Sequence, residues 1–462
     1  MIGKRLYNRT PIIDALKAYD YDNFIKFHTG SRGKSPIEFW KWDFTEAPTL
    51  DNLQCPTGVI LEAERLAAST FGADHTFFSV NGSTASILAL ILGTCNDGDI
   101  LIVDRNCHIS VFNAMIFAGV KPVFINPTYE NQIAIHTDTD SFSKAAEEYG
   151  AVGVLITRPN YYGVAVDISN LSEKLHKSNK FLFVDEAHGA HFGFHERLPA
   201  SALSCGADSV AQSAHKTLGA LNQAAFLHLK GALISKDRLF SALSSVQTTS
   251  PSYPILASLD YSRAWLESEG KERYEKLMLA IDVFWDSLKE PFYKMETTLP
   301  QDPTRLVIGA KGFDLRQIEE ELRLRGKIQV EMVDENYIVC IAIPGDEEGL
   351  KVFSQALNDC KPSTVSQATS FKPPDIPITG VIDIKSAKNA AHVDVKLTDA
   401  VGKISGELVT TFPPGIPILF PGETISPHIV SHICDIINGH SVIKGLTQDM
   451  KLIVLDDGGT NG

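Results

Sequence analysis

Phe181-Leu182-Phe183-Val184-Asp185-Glu186-Ala187-His188-Gly189 reads as an apolar strand running straight into an acidic turn. Four consecutive apolar residues suit a strand buried on both faces of a parallel sheet. Asp185 then falls at the carboxyl end of that strand, where open α/β sheets bind their ligands. Similar apolar runs flank it: Phe77–Val80, Ile100–Val103, Val120–Ile125, Gly153–Thr157, Asp208–Gln212 and Ala224–Leu229. Helical stretches separate them, so the pattern predicts an α/β fold with a seven-stranded, mainly parallel sheet covered by helices on both faces.

An Asp at a strand end also serves as an ordinary turn cap. Its neighbours along the chain argue for chemistry instead. One strand further on comes Ser213-Ala214-His215-Lys216-Thr217-Leu218-Gly219, which brings an amine to the same end of the sheet. Upstream, the strand Thr76–Val80 leads through Asn81-Gly82-Ser83-Thr84 into a helix, a place where free N–H groups and hydroxyls receive an anion. His108 closes the strand–turn segment Leu101 to His108, where an imidazole can stack on a flat ring and act on a proton. Lysine, carboxylate, anion site and stacking ring together are what pyridoxal 5′-phosphate (PLP) needs. Lys216 would form the Schiff base and Asp185 would pair with the pyridine nitrogen. Taken singly, each has a plainer reading: a solvated lysine, a turn cap, an N-cap, and a loop histidine bonded to backbone.

Composition sets outer bounds. The chain has 462 residues, 44% hydrophobic and 21% charged, enough to bury a large core in two or more domains. A net charge of −14 gives no basic face for nucleic acid or anionic lipid. Seven scattered cysteines without a Cys-x-x-Cys pair predict neither a disulfide framework nor a metal site, and fit reduced thiols in the cytoplasm. No apolar stretch is long enough to span a bilayer and no signal peptide is legible, so no membrane partner is expected. Cys107, beside His108, reads as an inert buried thiol.

Residues 1–70 form an amino-terminal segment and 71–295 a large cofactor-binding domain that ends in a long helix from about Ile255 to Lys289. Residues 296–360 mix strands at Arg305–Gly309 and Tyr337–Ile343 with a helix at Leu315–Gly326, a smaller α+β domain. The proline-rich 361–377 reads as a linker, and 378–462 as a carboxyl-terminal subdomain.

These motifs, in their order, resemble the Orn/Lys/Arg decarboxylase family of the aspartate-aminotransferase fold (PLP fold type I). The matching pieces include Thr10-Pro11-Ile12, Asp43-Phe44-Thr45-Glu46, Asn81-Gly82-Ser83-Thr84, Asp104-Arg105-Asn106-Cys107-His108 and Asp185-Glu186-Ala187-His188-Gly189. They continue with Ser213-Ala214-His215-Lys216-Thr217, Thr248-Thr249-Ser250-Pro251-Ser252-Tyr253 and Pro413-Pro414-Gly415-Ile416-Pro417. The resemblance implies that Lys216 is the Schiff-base lysine, Asp185 the pyridine partner and His108 the stacking residue. It further implies that Gly82, Ser83, Thr84, Ser213 and His215 surround the phosphate, with Ser250 reaching it from a neighbouring subunit, and that His188 lies near the phenolic oxygen. A homodimer is then the smallest working unit. The chain starts at the short segment before the cofactor domain, without the wing that builds decamers in longer relatives, so no decamer is expected.

Two motifs depart from the family. Gly30-Ser31-Arg32-Gly33 stands where the pattern is Pro-Gly-His-Lys, with Arg32 and Lys34 as substitutes, and Ile109 stands where it has lysine. The expected reaction is decarboxylation of a basic L-amino acid, with arginine preferred over lysine and ornithine, to the amine and CO2. Glu46 and Glu423 are candidates for holding its distal cation. Another PLP reaction, such as transamination, and an inactive regulatory relative stay open, because reaction type on one fold is set by a few side chains.

Overall fold

A computed structural model describes residues 9–21, 42–47, 49–136, 138–361, 382–412, 416–438 and 442–456. The expected linker 361–377 lies outside them except for Lys361, as do Gly30-Ser31-Arg32-Gly33, Lys34 and the Pro413-Pro414-Gly415 turn.

The chain opens with α1 (Pro11–Tyr21) and α2 (Val59–Phe71), then alternates strand and helix: β1 (His75–Ser79), α3 (Gly82–Thr94), β2 (Ile100–Asp104), α4 (Ile109–Ala118) and β3 (Lys121–Ile125). A hairpin of β4 (Thr128–Glu130) and β5 (Ile133–Ile135) interrupts the alternation. It resumes with α5 (Asp140–Glu148), β6 (Gly153–Thr157), α6 (Ser169–Lys177), β7 (Phe181–Asp185), β8 (Ser209–Gln212), α7 (Ala214–Thr217) and β9 (Ala225–Leu229). The seven strands read from sequence form one sheet in the order β1-β9-β8-β7-β6-β2-β3. It is parallel except at β9, which runs antiparallel to both its neighbours.

Strand periodicity explains the two cores. Successive side chains point to opposite faces, so Leu182 and Val184 of β7 enter one apolar cluster and Phe181 and Phe183 the other. The first cluster also takes Phe78, Ile156 and Phe226 and is covered by α2 and the long α9 (Tyr253–Ser287); the second is covered by α3, α4 and α8 (Lys236–Val246). Every residue of β7 is buried. At roughly 1.5–3 kcal/mol per fully buried large apolar side chain, this double burial holds the sheet as the rigid floor of the molecule. The 35-residue α9 begins with Pro254 in its first turn, where a missing N–H removes no helical bond. It anchors the amino-terminal segment: Asp260 Oδ2 accepts from Ile12 N at 3.0 Å, and Arg263, itself paired with Asp260, donates to Arg9 O.

Beyond α9, β10 (Phe292–Lys294), β11 (Arg305–Ala310), β12 (Met332–Val333) and β13 (Ile338–Ile341) make an antiparallel sheet in the order β10-β11-β13-β12. Helices α10 (Leu315–Glu321), prolonged by a π-helical turn over Leu322–Gly326, and α11 (Glu347–Asp359) accompany it. The last described segment holds α12 (Ile384–Asn389), β14 (His392–Val395), β15 (Val409–Phe412), β16 (Ile416–Leu419), α13 (Pro427–Asn438), β17 (Val442–Lys444) and β18 (Leu452–Leu455). Its strands form two small sheets, β16-β15-β17 and β14-β18.

The topology fixes where chemistry can occur. Strands β1, β2, β6, β7 and β8 all end at the same edge of the large sheet, and β9, being antiparallel, begins there. Residues just after the first five and just before the last are therefore brought together.

Candidate active site

At that edge lies a cavity of about 530 Å³. Asn81, Gly82, Ser83 and Thr84 enter it after β1, Asn106 and His108 after β2, Thr157 and Tyr161 from β6, Asp185 and His188 from β7, and Ser213, His215 and Lys216 from β8. Gln223, just before β9, closes the rim, and its carbonyl accepts from Gly82 N at 2.8 Å. Gly82 has φ +75°, a backbone state that disfavours a side chain. It starts α3, whose first turn offers free N–H groups; no side chain caps it, and Ser213 Oγ reaches Ser83 Oγ at 2.8 Å. The result is a cradle of N–H and O–H donors at the positive end of a 13-residue helix.

Asp185 is 4% exposed, and its Oδ1 accepts from Ala187 N at 3.2 Å. Among the described residues no basic side chain forms an ion pair with it. Burial raises its pKa, a shift opposed by the nearby His108 and Lys216 side chains. A buried carboxylate facing a cavity in this state calls for a cationic partner. Lys216 is half-buried, and burial lowers its pKa against the pull of Asp185. Its Nζ stands 3.0 Å from His188 Nε2, while His188 Nδ1 stands 2.9 Å from Arg305 Nη2.

His108 is the N-cap of α4: its Nδ1 accepts from Ser110 N at 3.2 Å. The backbone-bonded histidine and the cavity histidine are thus one arrangement, because the cap fixes the ring while leaving Nε2 for the cavity. Desolvation lowers its pKa, and Asp185 opposes the shift. His215 Nδ1 donates to Ala224 O at 3.0 Å, so its Nε2 can donate to an anion only when the ring is charged. The Cys107 thiol is fully buried and burial pushes its pKa well up, which matches the inert thiol expected from sequence.

Several expected contacts fall elsewhere. Glu423 is no pocket residue: it is 1% exposed and locked to Arg105 by two bonds of 2.7 and 2.8 Å. Glu46 bonds its neighbour Thr45 and does not line the cavity. Ser250 is exposed in the turn after α8 and does not line the cavity of its own chain. Conversely, Tyr161, Thr157, Asn106 and Gln223 line the cavity and Arg305 abuts it through His188, none of them announced by the sequence. Arg305 opens β11, 117 residues beyond His188, and no local motif links the two. The Arg105–Glu423 pair has its own test. Glu423→Ala is expected to lower stability by about 3–5 kcal/mol in urea unfolding, the usual effect of stranding a buried charge. An unchanged midpoint with a raised KM would return Glu423 to the pocket.

The residues present fit PLP. The α3 cradle suits its phosphate, Asp185 suits a protonated pyridine nitrogen, and Lys216 brings its Nζ to the same cavity. Asn106 Oδ1 and Thr157 Oγ1, on residues lining the cavity, have no hydrogen-bond partner among the described residues, as expected of a cavity shaped for a polar ligand.

Comparison with known proteins agrees with this geometry. The family model for the Orn/Lys/Arg decarboxylase major domain matches residues 38–289, and that for the Orn/Lys/Arg decarboxylase C-terminal domain matches 384–456. Arginine decarboxylase of Bacillus subtilis (strain 168) is 36% identical over 459 residues, covering 92% of this chain and 93% of that protein. Lysine decarboxylase LdcA of Pseudomonas aeruginosa is 31% identical over 245 residues, 48% of this chain and 32% of that one. In structure, the constitutive lysine decarboxylase of Escherichia coli superposes with a TM-score of 0.82 at 20% identity, over 97% of this chain and 82% of that one, which shows a shared fold.

Proposed function

The chain belongs to the Orn/Lys/Arg decarboxylase family, and on that premise we propose that it removes the α-carboxylate of a basic L-amino acid with PLP as cofactor, arginine being the preferred substrate. The observation that carries the reading is the meeting of Lys216, Asp185 and the α3 cradle around one cavity. Arginine is favoured because the B. subtilis arginine decarboxylase matches over 92% of this chain, whereas LdcA matches over 48% of it.

Bound PLP supplies an electron sink for the pair released from the α-carbon. Gly82, Ser83 and Thr84 would hold the phosphate, with Ser213 and His215 beside them. Asp185 would keep the ring-nitrogen proton in place, since a carboxylate buried opposite that nitrogen favours its charged form. His108, fixed by its cap, would cover the ring and offer its Nε2 proton to the carbon that has lost CO2. A second copy would complete the site: we place Ser250 at the phosphate bound by its dimer partner. All seven cysteines are free, in keeping with the cytoplasm, where the amine would feed polyamine synthesis.

The distal cation of the substrate needs an acidic partner. Tyr161 lines the cavity, and its hydroxyl donates to Glu331 Oε1 at 2.6 Å. The charge of Glu331 also reaches inward, opposing the lowered pKa of Lys216. Glu331→Gln is expected to raise KM for the basic amino acid about 10- to 100-fold with a smaller change in kcat, because a charge-assisted bond is worth roughly 1.5–3 kcal/mol. Equal losses in both parameters would move Glu331 away from substrate binding.

The reading is tested by incubating holoenzyme with carboxyl-labelled arginine, lysine and ornithine, counting released CO2 and identifying the amine by mass spectrometry. One amino acid converted to its amine, arginine first, is expected. Formation of a keto acid in place of CO2 and amine would sink the decarboxylase.

A further inference from the structure

Arg305 is 2% exposed, yet its Nε and Nη1 have no hydrogen-bond partner among the described residues. The hydrogen bond this buried guanidinium makes is the one from Nη2 to His188 Nδ1, at 2.9 Å. A guanidinium has only donors, so Nδ1 accepts and carries no proton. The single proton of the ring then sits on Nε2, which faces Lys216 Nζ at 3.0 Å. An N–H aimed at a nitrogen needs a lone pair there, and an ammonium has none. The contact therefore describes Lys216 as a free amine.

The surroundings agree. His188 faces Lys216, Arg305, His108 and His215, and burial, with the Arg305 guanidinium beside Nδ1, lowers its pKa well below the usual histidine range. The ring of Tyr161 packs edge-on against it at 5.1 Å, limiting its rotation. Around Lys216, burial and Arg305 favour the amine while Asp185 and Glu331 favour the ammonium, and the net shift of its pKa is downward. A donor-only group at one end of the imidazole thus dictates which hydrogen the other end presents to the lysine.

Resting on the PLP reading above, we propose that Arg305 is a positioning residue: by pinning the His188 proton on Nε2, it stores Lys216 as an uncharged nucleophile before the cofactor arrives. Capture of the cofactor aldehyde requires that state. The Nζ lone pair forms the new bond to the aldehyde carbon, and the aldehyde oxygen leaves as water with the two amine protons. An ammonium could not begin this step without first losing a proton inside the cavity.

The experiment uses full-length cofactor-free protein with 15N-labelled histidine, the His188 signals being assigned by their absence in His188→Asn. Wild type is expected to show a protonated Nε2 and a bare Nδ1 from pH 6 to pH 9; a proton on Nδ1 overturns the proposal. Cofactor uptake is then followed by the growth of visible absorbance across the same pH range. Arg305→Met is expected to mix the two tautomers and slow capture roughly tenfold at pH 7, with the wild-type rate recovered in alkali, since each unit of lysine pKa changes the free-amine fraction tenfold. Arg305→Lys, which keeps one charged donor, is expected to stay near wild type. A merely structural Arg305 would slow capture equally at every pH, and that result also overturns the proposal. Should Arg305→Met fail to fold, the wild-type spectrum still decides. If wild type takes up no cofactor at any pH, the PLP reading fails while the tautomer measurement stands as a separate outcome.

Discussion

Lys216→Ala is expected to lose the visible absorbance of covalently held PLP and at least about 10⁴-fold in kcat for CO2 release, the scale on which removal of a group essential to covalent catalysis is felt. The side chain is half-buried and hydrogen-bonds His188, so alanine leaves the sheet and both cores untouched. The α3 cradle survives the change, so the cofactor should still bind, weakly and without a bond. Equilibrium dialysis then separates the two effects: retained affinity for PLP with no visible band and no CO2. A variant that keeps the band and releases CO2 would remove Lys216 from the reaction.

Asp185→Asn carries the second large effect, and it has two signs. In the holoenzyme an amide no longer favours the charged ring nitrogen, and kcat should fall about 10²–10⁴-fold, the range assigned to a positioned proton-holding group. In the cofactor-free protein the same change should raise the melting temperature. Burial raises the folded pKa of Asp185 above its unfolded value. Its protonated form is therefore compatible with the fold, and stability present at low pH is lost as pH rises through the folded pKa. The amide of the variant has no charge to bury, so the gain should be clear at pH 7 and vanish in acid. Loss of stability at neutral pH in the cofactor-free variant would show that the carboxylate already has a partner. A catalytic group that destabilises its own apoprotein is a familiar exchange between function and stability.

The large sheet was legible because each strand is a short apolar run bounded by polar turns; double burial removes the period-two alternation, and short length with flanking turns is then what marks strand and not helix. Lys216, Asp185 and the Gly82-Ser83-Thr84 cradle were legible for a related reason, each abutting such a strand. Direction was not legible. Nothing in Ala225–Leu229 says that β9 runs against its neighbours, and so Gln223 was not expected at the rim. Nor was Arg305, since an arginine opening a strand reads as a solvated end until the fold buries it beside His188. Glu423 failed for the converse reason: Pro421-Gly422-Glu423 has the composition of an exposed turn, and only a contact with Arg105 makes it a core residue. Short β4 and β5, three residues each, are too brief for periodicity to register.

The Arg105 clamp bears on how the protein is made. Arg105 lies three positions before His108, its guanidinium sits 4.8 Å from the ring centre of Phe420, and its carboxylate partner is 318 residues downstream. During synthesis the whole large sheet can emerge and pair while Glu423 is still inside the ribosome. The loop bearing Asn106 and His108 is secured only once Glu423 has joined Arg105. A product truncated before Phe420 would thus retain Lys216 and all seven strands of the large sheet, but would lack the carboxylate that clamps Arg105 beside the loop bearing His108. Closure of the loop that carries His108 is in this sense a report that synthesis has passed residue 423.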